Sequence, residues 1–229
     1  MRLAVWSGPR NLSTALMYSF AARADFQVMD EPFYAAYLAA TGQDHPMADD
    51  IIAAHETDPK AVATACRAEG APHLYMKHMP HHMLPAFPMG WADGCVHVHL
   101  IRHPARVIAS YAAKRESPSL NDIGFEQQTA LFDRLGGVVI DSTDIRAQPA
   151  MMLQRLCAAI GIGWDDTMLH WPAGGLAEDG IWAQHWYGAV HRSTGFAGAE
   201  GPLPDLTDDH ARLCAAAMPH YARLAKLRI

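Results

Sequence analysis

The stretch that follows the first apolar run collects the groups an anion needs. Leu3-Ala4-Val5-Trp6 gives way to Ser7-Gly8-Pro9-Arg10-Asn11-Leu12-Ser13-Thr14, and a helical pattern then begins. A strand, a turn and a helix N-terminus in that order gather free backbone N–H groups at the positive end of a helix dipole. Ser13 and Thr14 add hydroxyl donors, and Arg10 adds a fixed positive charge. The stretch is not a Walker A loop, because no lysine precedes the Ser-Thr pair, and this disfavours an ATP or GTP hydrolase. A plain strand-to-helix turn with Ser13 as the cap fits the same residues.

A second candidate follows the fourth apolar run, in Arg102-His103-Pro104-Ala105-Arg106-Val107-Ile108-Ala109-Ser110-Tyr111. Pro104 suits the first turn of a helix. Arg102 then stands at a strand's C-terminal end, where open parallel sheets bind ligands. Arg106 and Ser110 are spaced to share one helix face, and a guanidinium with a hydroxyl near a helix start clamps phosphate well. Lys114 and Arg115 read as solvated helix surface. Two anion sites at two strand ends imply a ligand with phosphates at both ends.

The elements that must hold these groups are legible. Apolar runs at 3–6, 26–29, 73–76, 96–101 and 138–140 read as strands, and helical patterns cover 13–23, 59–69, 105–115, 125–135, 149–160 and 208–226. Their alternation predicts a three-layer α/β fold with a central parallel sheet of about five strands flanked by helices. Val96-His97-Val98-His99 alternates, so one face of that strand should meet something polar. No linker or repeat divides residues 1–229, which suggests a single domain, with an irregular lid or acceptor segment at 171–204.

Composition bounds the partners. Half of the 229 residues are hydrophobic, 18% are charged, and the formal net charge is -6. A general attraction to nucleic acid or to an anionic membrane is therefore not expected. Four scattered cysteines with no C-x-x-C pair fit a reducing compartment, and no apolar stretch suits a signal peptide or a membrane span. These features point to a cytoplasmic protein.

The quoted motifs resemble those of PAPS-dependent sulfotransferases, PAPS being 3′-phosphoadenosine 5′-phosphosulfate. Gly8-Pro9-Arg10-Asn11-Leu12-Ser13-Thr14 is similar to the family's 5′-phosphosulfate loop, and Arg102-His103-Pro104 through Ser110-Tyr111 to its 3′-phosphate motif. Asp141-Ser142-Thr143-Asp144-Ile145, followed by Pro149 and Gly161-Ile162, resembles the stretch after the last core strand. The resemblance implies a P-loop-like fold, PAPS as co-substrate, a small-molecule acceptor and no required metal. It assigns Gly8, Pro9, Arg10, Asn11, Leu12, Ser13, Thr14, Arg102 and Ser110 to donor binding. Asn11-Leu12 departs from the usual Ser-Gly pair. The cytosolic members' late R-K-G triplet is missing, and Arg192-Ser193-Thr194-Gly195 is the nearest substitute.

Sulfuryl transfer needs a base for the acceptor proton and a cation for the leaving phosphate. Arg10 suits the second role. Two bases remain open. Glu31, in Asp30-Glu31-Pro32, follows the second strand at the same sheet edge, and its neighbouring cations should keep its pKa low. His78, beside Lys77 in Tyr75-Met76-Lys77-His78-Met79-Pro80, resembles the family's K-T-H-L-P segment. Lys77 is a further candidate, as a cation near the sulfuryl group. The adjacent His81 and His82 lack familiar metal-ligand spacing. Two alternatives stand beside the sulfotransferase. One is a nucleotide-dependent phosphotransferase with Asp141 as its magnesium ligand, and the other is a non-catalytic PAP-binding protein.

Overall fold

Side chains along β1 (Arg2–Trp6) alternate between two cores, and this divides the molecule into layers. A computed structural model of the chain, describing residues 1–69, 72–113 and 118–229, sets β1 at the centre of a five-stranded sheet. The other strands are β2 (Phe26–Asp30), β3 (His73–His78), β4 (Val96–Ile101) and β5 (Val138–Asp141), and the order is β2-β3-β1-β4-β5 with every pair parallel. Lys114 and Arg115 lie outside the described residues.

Parallel strands need crossovers, and helices supply them. They are α1 (Ser13–Ala21), α2 (Tyr34–Thr41), α3 (Ala48–Ala54), α4 (Pro59–Ala65), α5 (Pro104–Ala112), α6 (Leu120–Ile123), α7 (Phe125–Leu135), α8 (Ser142–Ala147), α9 (Pro149–Ile160), α10 (Ala183–Trp186), α11 (Gly188–His191) and α12 (Asp208–Ala225). Leu3 and Val5 pack with Leu16 and Phe20 of α1 and with Leu153 and Leu156 of α9. Ala4 and Trp6 face Tyr37 and Leu38 of α2, Ile51 of α3 and Val62 of α4. Full burial of a Leu or Phe contributes about 1.5–3 kcal/mol, so these stripes fix which face each helix covers. α2 was not legible in the sequence because Tyr34 through Leu38 are all buried and show no polar face.

From β1 the chain travels to β2 and β3 on one side and then crosses to β4 on the other. That reversal opens a crevice at the C-terminal ends of β1 and β4, the usual ligand position in such sheets. The alternation in β4 has an internal cause. His97 Nδ1 accepts from Trp6 Nε1 at 3.2 Å, and His99 Nε2 lies 3.0 Å from the Gly136 carbonyl. Burial pushes the His99 imidazole down to about 4, so it stays neutral in the core.

The 171–204 stretch holds α10 and α11 and is anchored by buried aromatics. Trp171 joins the α1 and α9 core, while Trp182 and Tyr187 join the α2 core. No helix among the described residues is long and apolar enough to cross a membrane.

Candidate active site

The loop after β1 is held in an unusual backbone shape. Arg10 and Leu12 have φ of 62° and 70°, and Leu12 stands as the N-cap of α1 without capping it by a side chain. A left-handed non-glycine residue costs roughly 1–2 kcal/mol, so the surroundings must enforce it. Asn11 Nδ2 donates to the Leu100 carbonyl at 3.3 Å, tying the loop to β4. Gln128 Nε2 of α7 donates to the carbonyls of Trp6 and Leu100, both at 3.0 Å, and so bridges the two strand ends. Leu12 fills the left-handed position where a glycine would sit without strain, which is how the loop accommodates Asn11-Leu12. Ser13 is the first residue of α1 rather than its cap.

Gly8 seats this loop on α6. A Cβ on Gly8 would lie 2.5 Å from the Ile123 carbonyl oxygen, closer than side chains come. Gly8→Ala is therefore expected to lower stability by about 1–3 kcal/mol and to shift the loop away from Gly124. Urea denaturation would show the first effect, and weaker anion binding the second.

Pro9, Arg10, Asn11, Leu12, Ser13, Thr14, Glu31, Lys77, Arg102 and Ser110 all line one cavity of about 410 Å³ at the sheet's C-terminal edge. The two anion motifs touch within it. Arg10 Nε donates to Ser110 Oγ at 2.9 Å, and Arg102 donates to the Arg10 carbonyl at 2.6 Å. Burial, and then the charge of Arg102, lower the Arg10 guanidinium from its ordinary value. Ser110 thus pairs with Arg10 and not with Arg106. Arg106 turns to Glu200, at 3.0 Å, and to the Gly201 carbonyl, at 2.5 Å.

Glu200 gathers three arginines. Its carboxylate accepts from Arg102 and, at 2.8 Å, from Arg146, and it pairs with Arg106. Thr143 Oγ1 donates to it at 3.1 Å. Burial alone would raise the Glu200 carboxyl, but Arg102 and Arg106 outweigh burial and hold it below the usual range. Arg146 lines the cavity. Of Arg192-Ser193-Thr194-Gly195, the substitute suggested by the sequence, Ser193 and Gly195 line it too, whereas Arg192 is exposed and off its wall. Arg146 had one readable signal, its place in the first helix after β5.

Across the cavity lies a buried cluster built on β2 and β3. Lys77 Nζ donates to Asp30 at 2.9 Å, to Glu31 Oε1 at 2.5 Å and to the Tyr187 oxygen at 2.5 Å. These contacts occupy all three ammonium donors. Tyr187 OH and Trp182 Nε1 lie 2.8 Å and 3.0 Å from Asp30 Oδ2, so α10 and the segment around it close the cluster. Burial would lower the Lys77 ammonium, but Asp30 and Glu31 hold it above its ordinary value. Burial raises the Glu31 carboxyl and Lys77 only opposes this, so Glu31 is not the low-pKa acid expected from the sequence. Glu31 has φ of 40°, a further strained residue in the cavity wall. Its Oε2 stands 3.9 Å from His82 Nδ1, outside hydrogen-bonding distance.

His78 and Gly8 are not part of the cavity wall. The His78 ring stacks 4.7 Å from Trp6 and lies tilted 4.6 Å from Trp91, and burial pushes its pKa down to about 3. His81 and His82 do line the cavity. Both are buried, with pKa values depressed by burial, to about 4 for His81. Tyr34 stacks on His82 at 4.5 Å and, with Tyr111 and Trp186, gives the cavity an aromatic wall. Asp141 caps α8, accepting from Thr143 N at 2.8 Å and from Tyr221 OH at 2.9 Å.

Known proteins resemble this chain at two levels. Three solved structures share the fold: the sulfotransferase domain of the Synechococcus PCC 7002 olefin synthase (TM-score 0.51, 16% identity, 93% of each chain), the sulfotransferase domain of the curacin biosynthetic pathway (0.52, 15%, 93% of this chain and 96% of that one) and a sulfotransferase from Alicyclobacillus acidocaldarius (0.55, 12%, 100% and 96%). Two Arabidopsis thaliana proteins, branched-chain-amino-acid aminotransferase-like proteins 1 and 2, are 35% identical over 223 residues. That alignment covers 94% of this chain but only 40% of either relative. The profile of the sulfotransferase domain matches residues 1–228, from before β1 to beyond the end of α12, and the chain belongs to that family.

Proposed function

We propose that the chain transfers a sulfuryl group from PAPS to a hydroxyl or amine of a small acceptor, with PAP as the leaving group. The observation that carries this reading is the joining of both anion motifs, through Arg10, Ser110 and Arg102, in the cavity that Glu31 also lines. In this mechanism the acceptor's proton passes to Glu31 Oε2. The acceptor atom bonds to sulfur as the bond from sulfur to the 5′-phosphate oxygen breaks. Arg10 and the uncapped N-terminus of α1 receive the charge that grows on that oxygen. Glu31 is the better base because it lines the cavity and burial raises its pKa, while His78 is buried between two indoles. Lys77 is a positioning residue, since its three donors are already engaged.

The phosphotransferase alternative loses support because Asp141 is committed to capping α8. A cytoplasmic location is part of the proposal, supported by four free cysteines. A thermal shift series with PAP, AMP and Mg-ATP tests the donor, because a ligand of the folded state raises apparent stability. PAP should stabilise strongly and AMP weakly. Stabilisation by Mg-ATP alone would replace the sulfotransferase with the phosphotransferase.

The two arginines should divide their labour. Arg10→Ala is expected to reduce kcat by about 10²–10³-fold with a much smaller loss of PAP affinity, because its charge acts on the transition state. Arg102→Ala should instead weaken PAP binding by about 10–100-fold, the worth of a charged hydrogen bond to phosphate. Calorimetry with PAP and steady-state rates separate the two, and equal losses in both quantities for both variants would contradict the division.

A further inference from the structure

We infer that Glu200 occupies the subsite of the donor's 3′-phosphate and must leave it, with residues 197–203, when the donor binds. The inference rests on PAPS as the donor. Its basis is the contrast between Glu200 and its own segment. Ala197, Gly198, Ala199, Gly201, Pro202 and Leu203 are all exposed, yet the Glu200 carboxylate is only 2% exposed. The segment has no helix or strand. Among the described residues its hydrogen bonds run to four side chains, with Arg146 and Arg106 also holding the carbonyls of Gly198, Gly201 and Pro202. It is a strap fastened to a cationic cluster by one buried charged side chain and three carbonyls of the exposed segment.

The cluster is better matched to a phosphate than to a carboxylate. Three guanidiniums and a hydroxyl meet a single negative charge, which leaves the site electropositive. A phosphate monoester brings about -1.5 to -2 charges and three acceptor oxygens, and arginine forks bind it bidentately. Arg102 and Arg146 line the cavity, so an anion entering there reaches both. Arg102 also holds the Arg10 carbonyl, so exchange of its anionic partner is felt at the loop after β1. Glu200 is thereby a specificity-determining residue. It yields to a nucleotide carrying a 3′-phosphate and not to one without it.

A closed strap lowers apparent donor affinity by the fraction of molecules that are open. Glu200→Gln keeps the side chain's shape and removes its charge, so it should bind PAP at least about tenfold more tightly while AMP affinity stays the same. Calorimetry on wild type and variant reads this, and a crystal structure of the wild-type chain with PAP reads the displacement without relying on the variant's folding. The expected structure has the 3′-phosphate on Arg102 and Arg146 and the Glu200 carboxylate released from both. A PAP complex with Glu200 still on Arg102, or PAP binding no tighter in the variant, would make Glu200 a fixed brace and overturn the inference while leaving the donor assignment standing. Failure of the wild-type chain to bind PAP would overturn both.

Discussion

Glu31→Gln should cut kcat by about 10²–10⁴-fold, the range for removal of a general base, and leave PAP affinity within about twofold. Glutamine preserves the carbonyl oxygen that accepts from Lys77 and Tyr187, so the buried cluster keeps its shape. What disappears is the proton acceptor at the second oxygen. Burial raises the Glu31 carboxyl, so the wild-type rate should fall with decreasing pH at a point above the ordinary glutamate range. The variant's residual rate should lack that limb. Steady-state rates at saturating PAPS across pH would show both effects. A variant that keeps the wild-type rate and the same acid limb would remove Glu31 from the chemistry.

Lys77→Met is expected to destabilise the fold by about 3–5 kcal/mol, the cost of breaking a buried charge pair by deleting one partner. The methionine fills much of the lysine's volume, so the loss reports charge more than packing. Asp30 and Glu31 would then be buried together without their cation. Deprived of Lys77, which opposes the effect of burial, the Glu31 carboxyl should ionise at still higher pH in the folded state than in the unfolded chain. The penalty is then complete above the raised folded-state pKa and fades as pH falls below the unfolded value of about 4. Urea unfolding of wild type and variant near neutral pH and in acid tests this. A deficit that does not shrink in acid would mean that packing rather than charge dominates.

What the sequence disclosed follows from how locally each feature is encoded. The loop after β1 and the start of α5 were readable because strand end, turn and helix start are adjacent in the chain. Glu31 was readable for the same reason, directly after β2. His78 was expected just beyond the third strand, which was read as stopping at Met76, but β3 continues through it. The strand's alternation then turns His78 to the same face as Met76, into the aromatic core. The spacing of Arg106 and Ser110 correctly gave a shared helix but not their partners, which come from residues far away in the chain. Glu200 left no trace at all. A lone carboxylate in an aperiodic stretch carries no pattern, and its importance exists only once three arginines from α5, α8 and the end of β4 have been brought around it.

The account turns on transfer itself. Incubating the chain with PAPS and a panel of small alcohols, phenols and amines, without ATP or added magnesium, and following products by mass spectrometry tests it most directly. The account predicts PAP and a sulfated acceptor in equal amounts, both lost in Glu31→Gln. Binding of PAP with no sulfated product from any acceptor would contradict it and leave a nucleotide-binding protein that performs no transfer.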